Sequence, residues 1–178
     1  HQEQRRILRI DEYVTGRAVR EGVYAIRESR WPQDRGVVEE LFCEYVGALG
    51  VDVSFQNVEE EFASLPGNYA RPSGSVFLAW SEREPAGVVA RRTIGPGLAE
   101  MKRLYVRPAF RGLGIARDLA SLVITDARKA GISRIVLDTL GAMHAARALY
   151  VGLGFRPIPP YYENPLPDVV YLGLDLNG

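Results

Sequence analysis

One run of residues restricts the fold more than any other. Residues 98–106 (LAEMKRLYV) read as a strand, 112–130 as a helix, and 134–139 (RIVLDT) as a second, buried strand. Strand, helix and strand in that order make a βαβ unit, with parallel strands and a right-handed crossover. The helix carries Ile115, Ala116, Leu119, Leu122, Val123 and Ala127 on one face, and Gly131 closes it. Residues 75–80 and 86–94 flank the charged turn SEREP and read as an antiparallel hairpin. The GPG turn joins that hairpin to 98–106.

The flanking segments complete the pattern. A short strand is expected at 23–27 (VYAIR). Val37, Val38, Leu41, Phe42, Tyr45, Val46 and Leu49 recur at helical spacing, with Asp34 as N-cap and Gly50 as stop. Asn57 and Glu60 resemble a capping box opening a shorter helix that Pro66-Gly67 ends. A last helix is expected up to Gly154, and a final strand at 169–176. The predicted fold is α/β (α+β): one domain with a mixed, mostly antiparallel sheet, a central βαβ unit and helices on both faces. The 178 residues suffice for one sizeable core and are too few for two ordinary domains. Residues 21–178 read as that domain. Residues 1–20 read as an N-terminal extension, partly tag-derived or an added helix, since the sequence opens on His1.

Composition removes several function classes. Lys and Arg number 22, as do Asp and Glu, so the charge balance argues against nucleic acid as partner. Cys43 is the only cysteine, which excludes an internal disulfide and a thiolate metal site and fits a reducing cytoplasm. Two histidines, His1 and His144, are too few for a His-based metal site. No apolar run approaches a membrane span, and no charged-then-apolar leader is read at the start. The expected setting is cytoplasmic, without membrane, metal or nucleic acid.

The junction RGLGIA (Arg111 to Ala116) lies where strand gives way to helix. It admits two readings. One is a space-saving turn. The other is an anion cradle, in which glycines bend the backbone and the helix's first N–H groups, without intrahelical partners, point at one phosphate. The run lacks the third glycine of the dinucleotide fingerprint and the Lys-Ser/Thr of a P-loop.

Residues 106–116 resemble the Arg/Gln-x-x-Gly-x-Gly/Ala pyrophosphate loop of the GNAT N-acetyltransferase superfamily, here Arg111, Gly114 and Ala116, preceded by Val106-x-Pro108. Downstream, Ala146, Tyr150, Gly154 and Phe155 resemble the family's second signature. The resemblance implies an acyl-CoA, usually acetyl-CoA, as cosubstrate, and an amine of a small molecule or peptide as acceptor. It also implies that the backbone of Leu104, Tyr105 and Val106 pairs with the pantetheine arm. The N–H groups of Arg111, Gly112, Leu113, Gly114, Ile115 and Ala116 would then hold the pyrophosphate. A backbone N–H near Leu104 or Tyr105 would polarise the thioester carbonyl.

Tyr150 corresponds to a tyrosine beside the thioester sulfur, a donor to the leaving thiolate; otherwise it simply packs its helix on the sheet. Glu100 stands where some members carry a general base; otherwise it is paired with Arg92, Lys102 or Arg103. His144 and Asp138 are further candidate bases. Met143 occupies a position where many relatives carry an asparagine that touches the pantetheine. Tyr69, Tyr161 and Tyr162 are expected to wall an amine pocket; for Tyr161 and Tyr162 the alternative is a rigid proline turn, PPYYENP, whose aromatics pack on the sheet. Homodimers are common in the family. A non-catalytic acyl-CoA sensor is the alternative function. An interaction domain with a chance Gly-x-Gly turn is a third reading, opposed by the zero net charge and the paired signatures.

Overall fold

The computed structural model describes residues 6–7, 15–19, 22–54 and 57–177. Its sheet comprises β1 (Arg6–Ile7), β2 (Thr15–Val19), β3 (Gly22–Glu28), β4 (Gly74–Ser81), β5 (Glu84–Gly95), β6 (Leu98–Val106), β7 (Arg134–Leu140), β8 (Arg156–Pro157) and β9 (Val169–Asp175). The spatial order is β1-β2-β3-β4-β5-β6-β7-β9-β8. Only β6 and β7 run parallel; every other neighbouring pair is antiparallel. The mixed sheet and its central βαβ unit are as the sequence predicts.

Where 1–20 is described, an added helix is replaced by strand. Thr15–Val19 pairs residue for residue with β3 from Ile26 to Gly22. It occupies an edge that would otherwise leave β3 with unpaired ladder groups. The rest of that expectation lies outside the described residues.

Helices cover both faces. Helices α1 (Arg35–Leu49) and α2 (Val58–Ala63) pack a core of Val38, Leu41, Phe42, Phe62, Val76, Leu78, Val88 and Ala90. Helices α3 (Ile115–Lys129) and α4 (His144–Gly152) pack the other face, with Leu119, Val123, Ala127, Phe77, Val89 and Ile135 at its centre. Gly50 ends α1 at φ 66°, the left-handed stop that the sequence signals.

The two N-caps behave differently from expectation. Asp34 sits at the N-cap of α1 without bonding it; its carboxylate takes the Arg27 guanidinium at 2.6 and 2.9 Å and the Arg30 N–H at 2.6 Å. Asn57 precedes α2 at φ 53° and makes no side-chain cap. A capping box needs an extended N-cap residue, so none forms with Glu60. Helix α3 also starts later than read, at Ile115, with Gly112 and Gly114 left in the turn.

A β-bulge in β6 sets up the site. Val88 pairs with Tyr105 and Ala90 with Lys102, so β6 spends one more residue than β5 between the two pairs. Arg103 absorbs the excess at φ 60°. The side-chain phase flips there. Ala99 and Met101 face the α3 core before the bulge, and Leu104 and Val106 do so after it. Tyr105 is thereby turned onto the α1 side.

A buried ion cluster locks α3 to the sheet. Arg91 on β5 is fully buried and donates Nε and Nη2 to one oxygen of Asp126 on α3, at 3.0 and 2.8 Å. Ser75 donates to the same oxygen at 2.9 Å, and Arg71 to the other. Burial pushes the Asp126 carboxyl up, but Arg71 and Arg91 outweigh it and hold the group below its ordinary value. Removing one partner from such a cluster strands a buried charge and costs about 3–5 kcal/mol. Asp126→Asn should therefore lower the unfolding free energy by that amount, read as a lower urea midpoint. The depressed carboxyl contributes stability that is complete above its unfolded value of ~3.9 and is lost as pH falls through the lower folded value. The variant's unfolding free energy should accordingly vary less over that acid range than the parent's, as denaturant titrations at stepped pH would measure.

Candidate active site

Strands β6 and β7 share a ladder only at Leu98–Arg134, Ala99–Ile135 and Glu100–Val136. Past Glu100 they part. On its other edge β7 stays paired with β9 along its whole length, from Arg134–Asp175 to Leu140–Val169. The parting opens a cleft lined by Met101, Lys102, Arg103 and Leu104 of β6, by Asp138, Thr139 and Leu140 of β7, and by Tyr45 and Tyr150 from α1 and α4. Leu104 lies in the wall, and Tyr105 and Val106 continue the strand, buried. Met143 lines the cleft too, its sulfur 3.7 Å from the Thr139 hydroxyl.

Tyr150 comes from α4, buried edge-on against Phe155 with ring centres 5.7 Å apart. Its hydroxyl makes no hydrogen bond among the described residues. Burial raises the phenol well above its ordinary value, and Tyr45 and Asp138 add to the rise. The group therefore stays protonated, with a donor to spare in the cleft. Packing its ring against Phe155 does not use up the hydroxyl.

Beyond Val106, the chain turns through Gly112 at φ 81° and Gly114 at φ 89°. Both conformations favour glycine. Gly114 is the N-cap of α3 and offers no side chain; the first intrahelical bond is Asp118 N–H to Gly114 O at 3.1 Å. The N–H groups of Ile115, Ala116 and Arg117 precede that bond and lack intrahelical partners. A Cβ on Gly112 would meet nothing within 4 Å, so the turn faces open space. Arg111 is exposed; its Nε donates to Val106 O at 3.0 Å, and its guanidinium lies 5.9 Å from the Tyr105 ring centre. Positive-φ glycines, a first helical turn of N–H donors and an arginine tethered alongside suit a pyrophosphate at the cleft's end.

Glu100 closes the other end. It is 2 % exposed; Arg92 donates to one oxygen at 2.9 Å and the Tyr161 hydroxyl to the other. Of the pairings open to it in sequence, Arg92 is the one formed. Asp138 takes the Tyr162 hydroxyl and Asn164 Nδ2. Tyr161, Tyr162 and Tyr171 stack edge to face within 5.2–6.0 Å, so the PPYYENP segment both packs on the sheet and borders the opening. Tyr69 stays with the core, edge-on to Phe42 with its hydroxyl on Glu61, rather than in the cleft wall. His144 is exposed at the start of α4 and also lies outside the cleft wall.

Sequence reasoning missed Tyr45 and Asn164 in the cleft. Tyr45 carries only the helical spacing of a core residue, and Asn164 reaches Asp138 through a loop of no periodicity. Among the described residues no group of three or more His, Cys, Asp or Glu could hold a metal ion, and no helix is long and apolar enough to cross a membrane.

Comparison with known proteins identifies the family. The acetyltransferase (GNAT) family model matches residues 24–155. An uncharacterised N-acetyltransferase of Schizosaccharomyces pombe is 41% identical over 155 residues, spanning 86% of this chain and 95% of its own. A GNAT-family acetyltransferase of Staphylococcus aureus superposes with a TM-score of 0.72 at 20% identity, over 86% of this chain and 99% of its own. The yncA protein of Salmonella typhimurium, solved with its cofactor acetyl-CoA, superposes with a TM-score of 0.67 at 19% identity, over 86% and 94% of the two chains. The fold and the family are those of acyl-CoA-dependent N-acyltransferases. The chain belongs to the GNAT acetyltransferase family.

The turn makes a direct prediction. Gly114→Glu forces a side chain into a left-handed position and sets a carboxylate against the helix N-terminus. Acetyl-CoA affinity, measured by calorimetry on a variant with parental circular dichroism, should fall by at least a hundredfold. Parental affinity in that folded variant would remove the turn from the cofactor site.

Proposed function

We propose that this protein transfers an acetyl group from acetyl-CoA to a primary amine of a small molecule or peptide, by direct attack of the amine in a ternary complex. One observation carries the reading: the unpartnered Tyr150 hydroxyl shares a cleft with the open edge of β6, and the glycine turn lies just beyond that strand. When bound, acetyl-CoA supplies an activated thioester. The chain's own residues do the rest.

The N–H groups of residues 112–116 and the α3 dipole hold the pyrophosphate; the Arg111 N–H expected among them is taken by Pro108 O at 3.3 Å. Backbone groups of Leu104 and Val106 on the edge of β6 that β7 leaves, to either side of Tyr105, which pairs with Val88, take the pantetheine arm as another strand would; Val106 O also holds Arg111 Nε. Leu104 and Met143 supply apolar contact along it. One N–H near Leu104 or Tyr105 faces the thioester carbonyl; a well-aimed donor of this kind contributes about 3 kcal/mol. Tyr150 keeps its proton at Oη and gives it to the departing thiolate.

The attacking amine must be neutral, so its proton has to leave. Glu100 is the acceptor for it. Both Glu100 oxygens are occupied, so the proton arrives through the Tyr161 hydroxyl, which borders the opening. Holding amine and thioester together supplies about 7–11 kcal/mol, more than either proton transfer.

The reading is tested by titrating acetyl-CoA beside dephospho-CoA and ATP, then scoring an amine panel by CoA release. Selective binding with turnover supports it. No acetyl-CoA binding by the folded protein overturns it, and binding without turnover of any amine would favour the sensor instead. Tyr150→Phe should lower kcat about a hundredfold, the lower range for a positioned proton donor, while the dissociation constant for acetyl-CoA stays within twofold. Unchanged turnover on a true acceptor would remove the donor role.

A further inference from the structure

Among the described residues, the charged groups at the mouth of the cleft have hydrogen-bond partners, with one exception. Glu100 is engaged by Arg92 and Tyr161, Glu61 by Arg103 and Tyr69, and Asp138 by Tyr162 and Asn164. Lys102 is different. Two residues after Glu100 on the same face of β6, it lines both the cleft and the opening beside Tyr161. Its ammonium makes no hydrogen bond or ion pair among the described residues.

Its charged neighbours are Glu100 and Glu61 on one side of the balance and Arg92 and Arg103 on the other. Of the charges nearest it, three cations, Lys102 included, stand against two carboxylates, both already hydrogen-bonded; Asp138, the third carboxylate of the cleft, is taken up by Tyr162 and Asn164. Glu163, beyond them, is exposed on the rim. A largely desolvated cation without a counter-ion is unfavourable, and burial indeed pulls the Lys102 amine below its ordinary value. A bound anion would reverse that. The thioester end of acetyl-CoA carries no charge, so the anion must come with the acceptor.

We infer that Lys102 is a specificity residue that binds a carboxylate of the acceptor, so that the amines this protein acetylates are amino carboxylates. The inference rests on the acetyltransferase reading and refines its substrate class. The lysine would anchor the acceptor's anionic end, leaving the amine to reach towards Tyr161 and the thioester. The same positive charge disfavours entry of a protonated amine lacking a carboxylate, so selection works against simple amines and diamines as well as for amino acids.

The test uses the full chain with acetyl-CoA and the twenty amino acids, short peptides with free C-termini, and the amide and decarboxylated counterpart of each. CoA release is scored for the parent, Lys102→Gln and Lys102→Arg. Turnover should be confined to carboxylate-bearing amines. On the best of them, Lys102→Gln should cut kcat/KM at least tenfold, mainly through KM, and Lys102→Arg should restore part of it. Preference for free amino acids or for peptide C-termini identifies the source of the carboxylate. Equal kcat/KM for acids and their amides overturns the inference, as does turnover of carboxylate-free amines alone, a panel with no turnover, or a Lys102→Gln variant that keeps the parental ratio of acid to amide. Failure of the parent to bind acetyl-CoA in a parallel titration would instead overturn the acetyltransferase reading itself.

Discussion

Two parallel strands that stay paired for three residues and then separate are the constraint on which this molecule depends. A parallel ladder is normally continuous and covered on both faces. Here β7 finds its partner in β9, and β6 finds its own in β5, so each strand keeps one satisfied edge. The other edge of β6 is left with ladder groups facing a cleft instead of a neighbour. Unpaired backbone inside a protein is costly unless something occupies it, and an extended amide-bearing chain is a suitable occupant. The proposed seat of the pantetheine arm follows from that vacancy in the ladder.

The bulge at Arg103 and the glycine turn make the vacancy usable. Were the same residues in regular strand without the bulge, Lys102 and Tyr105 would sit on opposite faces of β6, and Tyr105 would not turn towards α1, where Glu44 accepts from its hydroxyl at 3.3 Å. Farther on, the positive φ of Gly112 and Gly114 lets α3 begin with its N–H groups uncovered. The Arg91–Asp126 cluster then holds α3 against β4 and β5, so the helix end keeps its place relative to the strand it follows. Rigidity there matters, since a site built on fixed elements keeps the geometry its chemistry needs.

Much of this was readable from residues alone. The helical stripe of α3, the hairpin of β4 and β5 and the order of elements follow from local periodicity, which burial on one face imposes. The paired signatures pointed to the family because each places a particular residue at a strand–helix junction. Less legible were the caps. Asp34 and Asn57 have the right chemistry at the right places, yet Arg27 claims the first carboxylate and the backbone at the second adopts a left-handed turn. Tyr69 looked like a pocket wall and went to the core; Tyr45 looked like core and lines the cleft. A helical stripe defines an inward face, but it does not say which inward residue meets a cavity.

By itself, then, the sequence determined the element order, the parallel crossover, the glycine turn and the tyrosine of α4, all of them set by patterns within a dozen or so residues. Tertiary structure alone decided where β6 leaves β7, which carboxylates are spoken for, and that Lys102 is left without a partner among the described residues. Those depend on pairings between residues far apart in the chain, such as Glu100 with Tyr161 and Arg103 with Glu61. No local pattern encodes them, because each is settled by which charged group reaches the site first at the lowest cost in burial.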